Sequence, residues 1–236
     1  MEDLKEYLKV RKNLYLFIAK AFYKEADEAY FTGMKQRIPV LKTLGESAEN
    51  NELINGCIKM EHFLDSITDN AKTIESLSCE FAFLFLGVMG AVGEASIPTS
   101  ESVFLSAKKI AMQNERDEVL KTYYKYEMNV DKSFTEPEDH ISAEMAFLAG
   151  MSQSAVDALE ENDETKVLEL FQAQDEFLNN HLLKWAYKFC DMLRVRAKSL
   201  YFQSLADILH GFLITDALFV KEMSGGNEGE LLDDVK

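Results

Sequence analysis

The sequence predicts an all-α protein, one large multi-helix domain whose two helical halves are joined by a polar hinge. Apolar residues recur at spacings of three and four along nearly the whole chain, which puts them on one face of a helix. No run of strand length alternates with period two, and no internal repeat is visible. Only three prolines and 11 glycines interrupt 236 residues, so long elements are expected.

In chain order, Leu4, Tyr7, Leu8, Tyr15, Ile18 and Phe22 mark a first helix. Thr32-Gly33 and Pro39 predict a loop and short helices before the next stripe, Leu53, Cys57, Met60, Leu64 and Ile67. A third long helix carries Ile74, Leu77, Phe81, Leu84 and Phe85 and is ended by Gly87, Gly90 and Gly93. Residues 93–100, GEASIPTS, read as the clearest loop of the N-terminal half. Ser100 is then placed to cap a helix carrying Val103, Phe104, Ala107 and Ala111. Val119, Leu120, Tyr123 and Tyr124 make one more short helix. Residues 129–135 are polar and without period, the expected hinge between halves at 1–128 and 136–223.

At Pro137 a helix is expected to start, because a missing N–H costs nothing in the first turn. Glu138 and Asp139 would then lie at the positive end of the helix dipole. The stripe Ile141, Met145, Leu148, Ser152, Ala155 and Leu159 follows, and Glu160-Glu161-Asn162-Asp163 breaks it. Two last long helices carry Leu182, Trp185, Phe189 and Leu193, then Tyr201, Leu205, Ile208, Phe212 and Phe219. Residues 1–223 form the helical domain in this reading, and residues 224–236 an acidic flexible tail.

Composition narrows the function classes. At 47% apolar and 28% charged residues the chain is globular, and its net charge is 25 − 41 = −16. No basic stripe exists to hold nucleic acid. An acidic surface serves solubility and also suits a cationic partner such as a peptide. Cys57, Cys79 and Cys190 have neither metal-ligand nor disulfide spacing and read as buried, reduced thiols of a cytoplasmic protein. The start, MEDLKEYLKV, is acidic and amphipathic, unlike a secretory leader. Residues 81–92, the most apolar stretch, are too short to cross a bilayer, so no membrane insertion is expected.

No phosphate loop, dinucleotide fingerprint, nucleophile elbow, HExxH or CxxC occurs, so no cofactor is assigned. Asp207-Ile208-Leu209-His210 is the single acid-x-x-His, too few for a two-metal helical bundle, and no metal ligand is assigned. His62 reads as exposed, His181 as structural beside Trp185, and His210 as a satisfied residue on an apolar stripe. Glu136-Pro137-Glu138-Asp139-His140 is different. A helix start needs one cap and one acid, whereas this segment carries three acids and an imidazole that ordinarily titrates near neutral pH. A general acid–base role would need a nucleophile or metal beside it, and no catalytic residue is assigned.

Three segments then carry a resemblance. Residues 136–141 with Glu144 match an E-P-x-D-H signature followed by an amphipathic helix. Glu80 to Gly87, then Pro98, then Glu101-Ser102-Val103-Phe104 is similar to an acidic-aromatic helix, a proline loop and an "ESVY" turn. Phe177-Leu178, His181-Leu182, Trp185 and Phe189 match "FLxxHLxxWxxxF". Together these cover residues 75–220 and resemble the cytoplasmic redox-enzyme maturation chaperones of the TorD/DmsD/NarJ type. Ser100 departs from the pattern, since many relatives place an aromatic residue there.

The resemblance implies a non-enzymatic chaperone. Its partner would be the precursor of a molybdoenzyme catalytic subunit, bound through its twin-arginine signal peptide or another segment until cofactor insertion is complete. The resemblance places client binding at Glu136, Pro137, Asp139 and His140. The second resembling segment adds Ser102 and Pro98. Charge and hydropathy make Glu101, Asp139 and Glu80 the carboxylates that face the arginines, and Phe81, Leu84, Phe85 and Phe104 the lining of an apolar groove. The chain would act as a monomer or homodimer. Two other readings are an acidic helical adaptor for an unrelated partner helix, and a helical enzyme using the Asp139/His140 pair.

Overall fold

The computed structural model describes residues 2–87 and 96–226. Among these the regular structure is helical, and the sole strand-like feature is an isolated antiparallel bridge between Ser100 and His140. The helices are α1 (Glu2–Tyr23), α2 (Glu28–Ser47), α3 (Asn51–Ser66), α4 (Asn70–Phe85), α5 (Glu101–Leu105), α6 (Asn114–Lys125), α7 (Ile141–Glu160), α8 (Glu164–Phe177), α9 (Leu183–Arg196) and α10 (Leu200–Met223). A π-helical turn, Leu178–Leu182, runs α8 into α9.

The chain forms two compact units. The first comprises residues 1–19, 100–185 and 214–236, the second residues 20–99 and 186–213. Residues 129–135 lie inside the first.

In the first unit, α7 is buried nearly all round, which explains how its stripe of Ile141, Met145, Leu148, Ser152, Ala155 and Leu159 is wholly interior. Arg11 of α1, 1% exposed, spans the core. Its Nε and Nη2 donate to the two carboxylate oxygens of Asp216 at 2.6 and 2.8 Å, and Nη1 donates to Ser152 at 2.6 Å and Gln174 at 2.5 Å. Tyr15 donates its hydroxyl to the same Asp216 at 2.5 Å. One buried ion pair with its hydrogen-bond demand met thus ties α1, α7, α8 and α10. Tyr123 of α6 stacks on Phe147 of α7 at 4.8 Å, and Phe147 meets Phe177 of α8 at 4.6 Å.

In the second unit, α2 and α3 are neighbours in sequence and space. A Cβ added to Gly45 would stand 3.1 Å from Ile54, so the glycine sets their close approach. Asn50 caps α3, accepting from the Glu52 and Leu53 N–H groups at 3.1 Å each, while its amide donates to the Gly211 carbonyl. Glu80 accepts from the Lys198 and Ser199 N–H groups at 2.6 and 2.9 Å, just ahead of α10.

Several sequence expectations need correction. The loop and short helices around Pro39 are one continuous helix, α2, with Pro39 inside it. Burial of Tyr30, Phe31, Met34, Ile38 and Leu41 on one face outweighs the single backbone hydrogen bond that proline removes. The helix predicted as far as Ala111 ends at Leu105, because the Ser106 hydroxyl captures the Lys109 N–H at 3.1 Å and Lys109 turns to φ 55°. The Pro137 helix begins four residues later, at Ile141. Cys57 and Cys190 are buried, but Cys79 is exposed. Gly87, at φ +68°, follows the end of α4 as expected, whereas Gly90, Gly93 and residues 227–236 of the tail lie outside the described residues. Helix α10 is long and apolar enough to cross a bilayer by composition, yet 72% of its most apolar stretch is buried within the protein.

Candidate functional site

The site grows from the turn Pro137-Glu138-Asp139-His140, closed by the His140 N–H donating to the Pro137 carbonyl at 3.0 Å. His140 is the N-cap of α7, and its Nδ1 accepts from the Ser142 N–H at 3.1 Å. That bond requires an unprotonated nitrogen, and burial agrees, lowering the His140 pKa to about 4. The imidazole is therefore a neutral helix cap at physiological pH, not the neutral-range titrating group the sequence suggested.

Asp139 points the other way along the chain. Its Oδ2 accepts from the Ser102 N–H at 2.7 Å and its carbonyl accepts from the Glu101 N–H at 2.9 Å, so it caps α5 from 37 residues away. Ser100, the residue the sequence offered as cap, makes no side-chain cap bond. The HLLKW segment completes the group. Nδ1 of His181 lies 3.1 Å from Glu101, the Trp185 N–H donates to Glu144 at 3.4 Å, and the Phe104 and Trp185 rings are 5.1 Å apart. Glu101, Asp139 and Glu144 are all at most 2% exposed. Burial, then the charges of Glu101 and Asp139, hold the Glu144 carboxyl well above the ordinary carboxylate range.

Outside this buried group runs an apolar recess of about 370 Å3. Ala143, Ala146, Phe147 and Gly150 of α7 and Tyr123 of α6 face the loop residues Met128, Val130 and Phe134 across it, with Asp131 and Ser142 as polar points. A Cβ on Gly150 would sit 2.8 Å from the Met128 sulfur, so glycine there lets the loop close down on α7. Phe134 meets the His140 ring edge-on at 5.8 Å, which joins the recess to the turn. Glu138 is held by Arg116 in a two-point ion pair at 2.6 and 2.8 Å, a bond that lowers its pKa. Glu136 is exposed on the same segment.

A family model described as nitrate reductase delta subunit matches residues 49–191, well over half of the chain, and spans the three segments assembled above. The chain belongs to this family. Curated relatives agree. The chaperone protein TorD of Photobacterium profundum is 31% identical over 167 residues, 68% of this chain and 73% of its own. That of Vibrio parahaemolyticus is 25% identical over 222 residues, covering 93% of this chain and 99% of its own, and that of a Psychrobacter species is 24% identical over 217 residues. These relatives are named as chaperones, a non-enzymatic family. No solved structure matches at a significant level.

In this member of the nitrate reductase delta subunit family, the residues singled out in the sequence separate into three groups. Glu101, Ser102, Phe104, Asp139 and His140 come together, but inside the first unit, each at most 8% exposed. Glu136 and Pro137 lie on the accessible side of the turn. Glu80, Phe81, Leu84, Phe85 and Pro98 belong to the second unit. There Glu80 is engaged by backbone N–H groups, Phe81 and Leu84 are buried, and Phe85 stacks on Phe189 at 6.2 Å. Sequence reasoning missed Met128, Val130, Phe134 and Ala146. For the first three the signal was available in and just before the hinge segment, where they interrupt polar residues on the N-terminal side of the signature, whereas Ala146 lies on α7. It also missed the Glu101–His181 pair, whose members are 80 residues apart. Among the described residues no group of three or more His, Cys, Asp or Glu is arranged to hold a metal ion.

Proposed function

We propose that this chain is a maturation chaperone for a molybdoenzyme catalytic subunit, and that its client segment is the cationic and apolar leader carried by the precursor, the twin-arginine signal peptide. The observation that carries this reading is the recess beside His140, set next to the family signature and edged by acidic chain. At about 370 Å3 it lies within the usual ~300–1,000 Å3 of ligand pockets and takes a few apolar side chains. Residues 127–136 carry Glu127, Asp131 and Glu136 against a single lysine, Lys132, which suits the arginines of such a leader. Asp139, His140 and Glu101 act from beneath in this reading, shaping the turn that presents the recess, while Glu136, Pro137 and the recess residues meet the client. Micromolar affinity, about 8 kcal/mol, would come mainly from apolar burial, with exposed ion pairs adding ~0–1 kcal/mol each.

Isothermal titration of a synthetic twin-arginine leader against the full chain tests this. Binding should weaken as salt is added, because exposed charges are screened. Ala146→Arg should cut affinity by about tenfold or more, since Ala146 is exposed in the recess and the new charge repels the leader. Unaltered binding by this variant would remove the recess from the account, and absence of binding to any leader would remove the signal peptide.

A further inference from the structure

Buried carboxylates elsewhere in this protein have cations. Asp216 holds Arg11, and Asp207 holds Arg194 and Lys59. Glu101, Asp139 and Glu144 hold no arginine or lysine, for among the described residues their partners are the His181 ring, the Ser102 N–H and the Trp185 N–H. Among the described residues Asp139 Oδ1, Glu144 Oε1 and Ser102 Oγ have no hydrogen-bond partner, and all three residues are completely buried. Three bare charges at this depth cannot be sustained without a counter-charge. No metal-binding arrangement exists among the described residues, which leaves the smallest cation, a proton.

The geometry gives that proton a place and a route. The Glu144 carboxyl lies in the field of Glu101 and Asp139, all three of them interior, a gathering that ionised carboxylates repel and one shared proton relieves. Nδ1 of His181 touches Glu101, and the same ring lines a slot of about 90 Å3 with Thr122, Lys125, Glu176 and Asn180. His181 stands in the π-helical turn, a wider turn of the kind often found at functional positions. The titratable groups facing Glu144 are Glu101 from α5, Tyr123 from α6 and Asp139 from the turn before α7, with His181 beyond Glu101. Tyr123 is shared, lining the client recess while lying in the field of Glu144, Asp139 and Glu101.

We propose that Glu101 and Glu144 share one proton at neutral pH, that His181 exchanges it with solvent through the slot, and that a cationic client segment seated in the recess expels it. On release the carboxyl O–H of Glu144 breaks and its proton passes to Glu101. Nδ1 of His181 then takes it up while Nε2 gives one to solvent, leaving two carboxylates beneath the recess that holds the cationic segment. The first two parts stand on the cluster alone; the third rests on the client reading above.

Two measurements on the full chain separate these parts. A carboxyl whose pKa is raised on folding stabilises fully at low pH and loses that stabilisation as pH rises through its folded value. As pH rises above the ordinary carboxylate range, the unfolding midpoint of the wild type should therefore fall relative to that of Glu144→Gln, which keeps the opposite, upward contribution of His140 between about 4 and 6.5. Equal slopes would overturn the proton site. If Glu144→Gln does not fold, carboxyl 13C NMR of the wild type decides, with one glutamate titrating above the rest in support and none doing so against. Titration of the twin-arginine leader in two buffers of different ionisation heat should show about one proton released by the wild type and none by Glu144→Gln. Binding of normal strength without proton release overturns the linkage and leaves the client reading standing. Absence of leader binding overturns both of those, and the stability series then judges the proton site by itself.

Discussion

Asp139 offers the sharpest test of how the signature works, because two substitutions at one atom position separate its hydrogen bonds from its charge. Asp139→Ala leaves the Ser102 N–H, fully buried, without the acceptor it now has at 2.7 Å. A charge-assisted bond is worth about 1.5–3 kcal/mol, and a buried orphan donor costs ~1–3 kcal/mol. Removing one of three clustered carboxylates returns part of this, so a net loss of roughly 1–3 kcal/mol is expected. Asp139→Asn keeps an oxygen acceptor for Ser102 and removes only the charge, from a place with no cation beside it. Its stability should stay within about 0.5 kcal/mol of the wild type or rise. Urea unfolding followed by circular dichroism reads both. At a slope of about 3 kcal/mol per molar, the alanine variant should unfold about 0.3–1 M earlier and the asparagine variant should not. An asparagine variant as damaged as the alanine one would refute the reasoning, since the charge itself would then be what the fold needs.

Further predictions follow from the two other buried polar groups. Arg11→Met strands Asp216 at 1% exposure and should cost about 3–5 kcal/mol, on the order of 6–20 °C in Tm, while adding Asp216→Leu should recover most of it. A double variant no better than the single one would contradict that pairing. His140, its pKa lowered by burial to about 4, stabilises fully above its ordinary pKa near 6.5 and loses that contribution as pH falls toward 4, on the order of 3 kcal/mol. His140→Asn, which caps without titrating, should flatten the acid limb of the stability curve, and an unchanged acid limb would place the titration elsewhere.

Helix positions were legible wherever the apolar period ran unbroken. The α7 stripe is an instance, because nothing in it competes with the period of 3.6. Where a punctuating residue was judged by type alone, the reading failed. Pro39 by its type predicts a loop, but the buried face of α2 decides the matter. Ala107 and Ala111 predict a longer helix, but one serine hydroxyl ends it first. At the candidate site the sequence offers residues without an arrangement. Glu136 to His140 stand out as a segment, yet a sequence cannot show that Asp139 reaches back to α5 or that Glu101 meets His181. Clustered acids read naturally as a charged rim, and here Glu101, Asp139 and Glu144 are interior instead. In the proposed reading the rim falls to Asp131 and Glu136, in and beside a segment that reads only as a hinge.

The client recess is the centre of the account, and methyl NMR on protein labelled at the methionine methyl groups reads it directly. Adding a twin-arginine leader should shift the Met128 signal, in the recess wall, strongly while leaving buried Met34 and Met60 of the second unit in place. A leader that binds while Met128 stays unmoved would contradict the claim that this trough beside His140 receives the client.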